Sequence, residues 1–202
     1  MSSASIQGYE DAAAELIPRF EALAPEAVFS PVLDCFPASP CRVLDVGAGS
    51  GRNPAWLAAQ GHRVTACEPV AAFRDAAAAR YAELGIRWLA DRLPMLDATR
   101  KLGESFDFVL LSGVWQHVEV DDRHAAMGTL ATLMAPGARL IMSVRHGPGA
   151  PGRPVYGVTD DETIALAERH GLALGGLRHA PSIQAANKAA GVTWSWIAFE
   201  AR

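Results

Sequence analysis

The segment Val43-Leu44-Asp45-Val46-Gly47-Ala48-Gly49-Ser50-Gly51-Arg52-Asn53 constrains this chain more than any other. An apolar run enters three alternating glycines and then Asn53-Pro54, a cap residue before a residue whose fixed φ suits a first helical turn. Glycine removes side chains where a ligand must approach the backbone, and free N–H groups at a helix start can face that ligand. A strand, a tight turn and a helix in this order make a binding corner for a nucleotide-like molecule. The second marker is Val64-Thr65-Ala66-Cys67-Glu68. An acid about 20 residues beyond the turn, at the tip of the next strand, can accept hydrogen bonds from both ribose hydroxyls.

The glycine spacing separates two readings of that corner. A dinucleotide-binding oxidoreductase carries G-x-G-x-x-G, whose last glycine lets helix and strand close on a pyrophosphate. Here the pattern is G-x-G-x-G, with Arg52 and Asn53 where a small residue belongs. A nicotinamide-dependent oxidoreductase is therefore the weaker alternative.

From Cys41 onward β-type runs at 42–46, 63–67, 86–90, 106–112 and 138–144 alternate with helical ones, the pattern of βαβ units around a parallel sheet. Helices are expected from Asn53 to near Gly61, from Val70 to Leu84, from Asp121-Asp122 to a stop at Pro136-Gly137, and from the capping box Thr159-Asp160-Asp161-Glu162. Two further β-type runs, around 172–179 and 191–199, follow. Tyr9 to Phe20 and Pro25 to Phe36 read as helices preceding the sheet, and Arg145 to Gly157 reads as a mobile loop. The 202 residues, half of them hydrophobic, suit one domain. Its expected parts are a helical cap over 1–40 and an α/β core over 41–202.

The glycine segment resembles motif I of the class I S-adenosylmethionine-dependent methyltransferases, and the likeness extends from Arg42 to Phe199. That resemblance implies a Rossmann-like seven-stranded sheet of order 3-2-1-4-5-7-6, strand 7 antiparallel, with helices on both faces. It implies S-adenosyl-L-methionine as cofactor. Asp45 would organise the turn formed by Gly47, Ala48, Gly49 and Gly51, Glu68 beside Pro69 would hold the ribose, and Asp91 with Arg92 and Leu93 would meet the adenine. Ser112 opens the fourth-strand segment that flanks the sulfonium in the family. Tyr9 and Arg19 resemble the tyrosine and basic residue that fold over the cofactor from an N-terminal helix. The D/N-P-P-Y/F tetrad of enzymes that methylate nucleic-acid amines is absent from Ser112-Gly113-Val114-Trp115-Gln116-His117-Val118.

The resemblance implies methyl transfer to oxygen, nitrogen or carbon of a small-molecule acceptor, and a non-catalytic binding protein of the same fold is a further alternative. His117 and His146 are the candidate catalytic groups, since histidine titrates near working pH and both follow strand ends. Trp115, Arg145 and Tyr156 are the expected substrate contacts. The tail tryptophans Trp194 and Trp196 share a strand face and read as core. A net charge of −4 without a basic run argues against nucleic acid. Three cysteines with no C-x-x-C pair give no metal or disulfide framework. No apolar run is long enough to span a bilayer, and no leader pattern opens the chain, so a cytoplasmic protein is expected. Oligomeric state is not legible.

Overall fold

The structure is a computed structural model and describes residues 3–202. In chain order the elements are α1 (Ser3–Glu21), α2 (Pro25–Phe29), β1 (Arg42–Val46), α3 (Arg52–Ala59), β2 (Arg63–Cys67), α4 (Ala71–Arg80) and β3 (Arg87–Leu89). They continue with α5 (Asp97–Arg100), β4 (Phe106–Leu111), α6 (Arg123–Leu133), β5 (Met134–His146), α7 (Asp160–Arg169), β6 (Leu172–Pro181), α8 (Ala185–Ala189) and β7 (Thr193–Ala201). The seven strands form one sheet of order β3-β2-β1-β4-β5-β7-β6, with β7 antiparallel to both neighbours and the first five strands parallel. This is the architecture the family resemblance implies. Among the described residues no helix is long and apolar enough to cross a membrane.

Strand alternation sorts the core into two layers. Leu44, Val109, Leu111, Leu140, Met142, Ile197 and Phe199 face one side, against Met127 and Leu130 of α6 and Ala167 of α7. Val43, Phe108, Leu110, Ile141, Trp196 and Ala198 face the other, against Phe29 of α2 and Leu57 of α3. Both faces of the central strands are covered, which is why those strands read as nearly unbroken apolar runs. A third cluster joins α1 to α4 through Ala13, Leu16, Val70 and Phe73.

Several boundaries differ from the sequence expectation, each for a local reason. The helix expected over 25–36 stops at Phe29, because Pro31 removes a backbone donor; one 3-10 turn, Leu33–Cys35, follows. Gly51, in the left-handed region at φ 87, is the N-cap of α3, and the Asn53 side chain instead accepts from the Arg52 guanidinium. Pro136-Gly137 do not terminate α6: β5 begins at Met134, and a register shift between Phe106 and Phe108 absorbs them. The Thr159 cap is present, its side chain accepting from the Glu162 backbone N–H at 3.1 Å.

Candidate functional site

Beyond the carboxyl ends of β1, β4 and β5 lies a cavity of about 520 Å³. Its first end is the glycine turn. Gly47 and Gly49 take φ of 77 and 56, where an L side chain is strained. A Cβ on Gly47 would strike Val114 Cγ2 at 2.4 Å, whereas one on Gly49 would meet only Phe20, at 3.9 Å. Gly49 therefore leaves space open to the cavity. Gly51 serves packing instead, since a Cβ there would meet Ala77 at 2.7 Å and Trp88 at 2.8 Å, and its absence lets α3 lie against α4 and β3.

Two acids support this turn. Glu68 accepts from the Gly49 N–H through Oε2 at 2.7 Å and from the Val70 N–H through Oε1 at 2.8 Å. Burial raises its pKa to about 7 against the pull of those two donors. Asp45 is buried, and neither carboxylate oxygen has a hydrogen-bond partner among the described residues. Burial pushes it up to about 7 as well, opposed by the Arg52 charge. A buried carboxylate with no partner is costly unless a ligand or a proton supplies one.

The second end is built by β4, β5 and β7. Ser143, Arg145, Trp194 and Trp196 line it and share one face of the sheet, since β5 pairs Ser143 with Trp196 and Arg145 with Trp194. The Arg145 guanidinium lies over the Trp194 ring, 5.5 Å from its centroid, and donates to the Pro148 carbonyl at 2.7 Å. Between the two ends stand Tyr9 and His117, with the phenol oxygen 2.9 Å from His117 Nε2 and the rings edge to face. His117 Nδ1 is 2.8 Å from the Pro154 carbonyl, an acceptor only, so Nδ1 carries the proton. Burial lowers the His117 pKa to about 4, so the ring is neutral at working pH and Nε2 accepts from the Tyr9 hydroxyl.

The segment after β5 is held over this corner. Ala150 and Arg153 form a bridge, and the Tyr156 N–H donates to the Gln116 carbonyl. The buried Arg123 guanidinium donates to the carbonyls of Tyr156 and Gly157 and pairs with Glu162. α1 presses on the same segment so closely that a Cβ on Gly8 would lie 1.9 Å from the Gly152 carbonyl oxygen. The loop expected to be mobile is thus tied at both ends and from above.

Of the expected residues, the cavity brings together Tyr9, Arg19, Gly47, Ala48, Gly49, Glu68, Ser112, His117 and Arg145. Arg19 is exposed at its rim and paired with Glu15 at 2.7 Å. His146 is not in the cavity. β5 runs two residues further than the sequence suggested, so Arg145 and His146 point to opposite faces, and His146 Nε2 lies 2.7 Å from Ser195 Oγ beside Asp160. Trp115 is also elsewhere: it is fully buried in the core and donates from Nε1 to Thr163 Oγ1. Tyr156 lies outside the lining. Asp91 spends its carboxylate on Thr99 N–H, Thr99 Oγ1 and Arg92 N–H, and Asp91, Arg92, Leu93 and Pro69 do not line the cavity. The sequence reading missed Arg52, Gln116 and Arg153 as lining residues; arginines scattered through a chain give no periodic signal.

Residues 44–140 match the methyltransferase domain family. The matched stretch is just under half of the chain. The chain's fold is shared with solved methyltransferase structures. The Burkholderia thailandensis 1,6-didemethyltoxoflavin-N1-methyltransferase, crystallised with 1,6-didemethyltoxoflavin and S-adenosylhomocysteine, superposes with a TM-score of 0.77 at 24% identity, covering 98% of this chain and 88% of that one. An N-methyltransferase from Bradyrhizobium japonicum, in complex with S-adenosylhomocysteine, gives 0.74 at 17% identity, covering 98% and 99%. A protein-L-isoaspartate O-methyltransferase of Methylorubrum populi is 41% identical over 113 residues, 53% of this chain. The chain spans about half the length of that relative, 52% of it.

Proposed function

We propose that this chain binds S-adenosylmethionine on the Gly47–Gly51 turn and transfers its methyl group to a small-molecule acceptor held beside Tyr9, His117 and Arg145. The observation that carries this reading is one cavity lined by chemically different groups: a glycine turn with the buried acid Glu68, and aromatic rings with guanidinium. Asp45 and Glu68 fit such a cofactor, since one has no partner among the described residues and both are poised near neutrality. Structural relatives crystallised with S-adenosylhomocysteine support the same reading.

When bound, the cofactor supplies an electrophilic methyl on a sulfonium. The chain's own part is alignment and proton handling. Tyr9 Oη donates to His117 Nε2 and so keeps its lone pairs for an acceptor N–H or O–H. As the acceptor gives up its proton to Tyr9 Oη, the phenolic proton passes to Nε2, and the imidazolium remains held at Nδ1 by the Pro154 carbonyl. With a pKa near 4, His117 is a weak base, so this relay serves an acceptor whose acidity rises as the new bond forms.

The test is calorimetry with S-adenosylhomocysteine and with NAD, followed by transfer of a labelled methyl group to a panel of small acceptors. Binding of S-adenosylhomocysteine alone and turnover with at least one acceptor are expected. Preference for NAD would return the oxidoreductase reading, and binding without any turnover would leave a cofactor-binding protein. An isoaspartyl peptide belongs in the panel because of the isoaspartate relative.

A further inference from the structure

Arg145 and Arg153 come to the second end of the cavity from different elements, β5 and the segment that follows it. Each guanidinium rests on an aromatic ring: Arg145 on Trp194, and Arg153 on Tyr9 with 5.3 Å to the centroid. Both charges act on the Tyr9 phenol and on His117, so they converge on the place where the proton is handled. Among the described residues neither has a carboxylate within ion-pair distance. Arg145 spends its donors on neutral oxygens, the Pro148 carbonyl and Asn187 Oδ1 at 3.3 Å, and the nearby charge of Arg153 adds to the burial that lowers its pKa. Two like charges facing one partly enclosed, aromatic-walled space leave an uncompensated positive field.

On the footing of the methyltransferase reading, we infer that this end of the cavity takes a planar aromatic acceptor bearing a carboxylate, which Arg145 and Arg153 anchor while Trp194 and the Tyr9 ring flank its plane. Guanidinium forks match a carboxylate edge to edge, and a ring carrying that carboxylate extends into the apolar walls. A singly charged group suits the site better than a phosphate dianion, whose greater desolvation cost two half-buried guanidiniums offset less well. The carboxylate anchors, and the atom that is methylated lies on the rest of the molecule, toward Tyr9 Oη.

The probes are benzoate, its neutral counterpart benzamide, and phenylphosphate, titrated calorimetrically into the protein with and without saturating S-adenosylhomocysteine. Benzoate is expected to bind at least about tenfold more tightly than benzamide, with the gap shrinking to about twofold in Arg145→Gln, Arg153→Gln and their combination. All three variants are expected to hold S-adenosylhomocysteine within about twofold of the unaltered chain. Equal binding of benzoate and benzamide overturns the inference, as does tighter binding of phenylphosphate. A tenfold loss of S-adenosylhomocysteine affinity in the variants overturns it too, because the guanidiniums would then serve the cofactor's own carboxylate. Benzoate selectivity in a protein that binds no S-adenosylhomocysteine overturns the cofactor reading and supports the anion site.

Discussion

The Tyr9 hydroxyl donates to His117 Nε2 at 2.9 Å across a separation of 108 residues, which ties the first helix to the loop after the fourth strand. Both residues line the cavity that the glycine turn and Arg145 also line. His117→Ala and Tyr9→Phe should each lower methyl transfer by roughly a hundredfold, the low end of what a positioned proton acceptor contributes. S-adenosylhomocysteine affinity should stay within about twofold in His117→Ala. Single-turnover transfer measures the first and calorimetry the second. His146→Ala should leave transfer within about twofold, since that ring points to the opposite face of β5. The reverse pattern would transfer the catalytic role to His146.

Backbone access at the glycine turn should govern cofactor binding. Gly49→Val forces an L side chain to φ 56 and fills the open side of the turn, and Glu68 loses its grip on the displaced N–H. S-adenosylhomocysteine binding should fall beyond detection while far-ultraviolet circular dichroism stays native. Gly51→Val, by contrast, should unfold the local helix packing, because its Cβ meets Ala77 and Trp88. Retained affinity in Gly49→Val would remove the turn from the site.

Much of this site was legible because glycine and acid spacing encode backbone shape directly. The turn, Asp45 and Glu68 follow from the strand–turn–helix order, and the sheet order follows from the family resemblance. What was hidden depends on which face a residue takes. One misjudged strand end put Arg145 and His146 together, though alternation sends them apart once β5 is known to reach His146. Trp115 and His117 sit two apart in a 3-10 turn, and nothing in their order says that the first enters the core and the second the cavity. Asp91 stands where the family has an adenine contact, and its carboxylate also accepts from Thr99, a partner eight residues on that no motif marks.

The buried position of Trp115 makes a stability prediction. It is fully enclosed and its indole N–H is satisfied by Thr163, which itself donates to the Thr159 carbonyl at the start of α7. Trp115→Ala should cost about 3–5 kcal/mol in denaturant unfolding, the range for large aromatic deletions. Trp115→Phe should cost less, and it should leave acceptor KM unchanged. A selective rise in KM with normal stability would restore Trp115 to the substrate pocket.

The two acids beside the turn predict a pH signature. Asp45 and Glu68 rise from ordinary values of 3.8 and 4.5 to about 7, so the folded, cofactor-free protein keeps protons that the unfolded chain has released. Their contribution to stability should therefore fall as pH rises from about 4 to about 7. His117 works the other way: depressed from 6.5 to about 4, it adds stability as pH rises through that interval. Burial also lowers His62 and His170, so three imidazoles oppose the two carboxyl groups, and removing one carboxyl in Glu68→Gln should turn the slope in the positive direction. Cofactor binding that recruits the ionised acids must release protons, so S-adenosylhomocysteine affinity should strengthen between about pH 5.5 and 7.5. Calorimetry in buffers of different ionisation heat reads that release, and Glu68→Gln should reduce it.

Gly8 offers a test of how closely α1 must approach the segment after β5. A glycine inside α1 weakens the helix by about 0.8–1 kcal/mol relative to alanine, and its local sequence gives no reason for it. The reason lies in the segment after β5, where the Gly152 carbonyl oxygen stands 1.9 Å from the position a Cβ would take. That approach brings α1 and the post-β5 segment together over Tyr9 and His117. Gly8→Ala should improve helix propensity yet push the two apart, moving Arg153 off the Tyr9 ring and Tyr9 off His117. Thermal unfolding should fall, because the clash is with backbone and outweighs the helix propensity gained. Methyl transfer should drop about tenfold, mainly in kcat, while Gly8→Ser should behave like Gly8→Ala because any Cβ meets the same backbone oxygen. An active Gly8→Ala would mean that the segment gives way freely, and that its position over the cavity is not what aligns the acceptor.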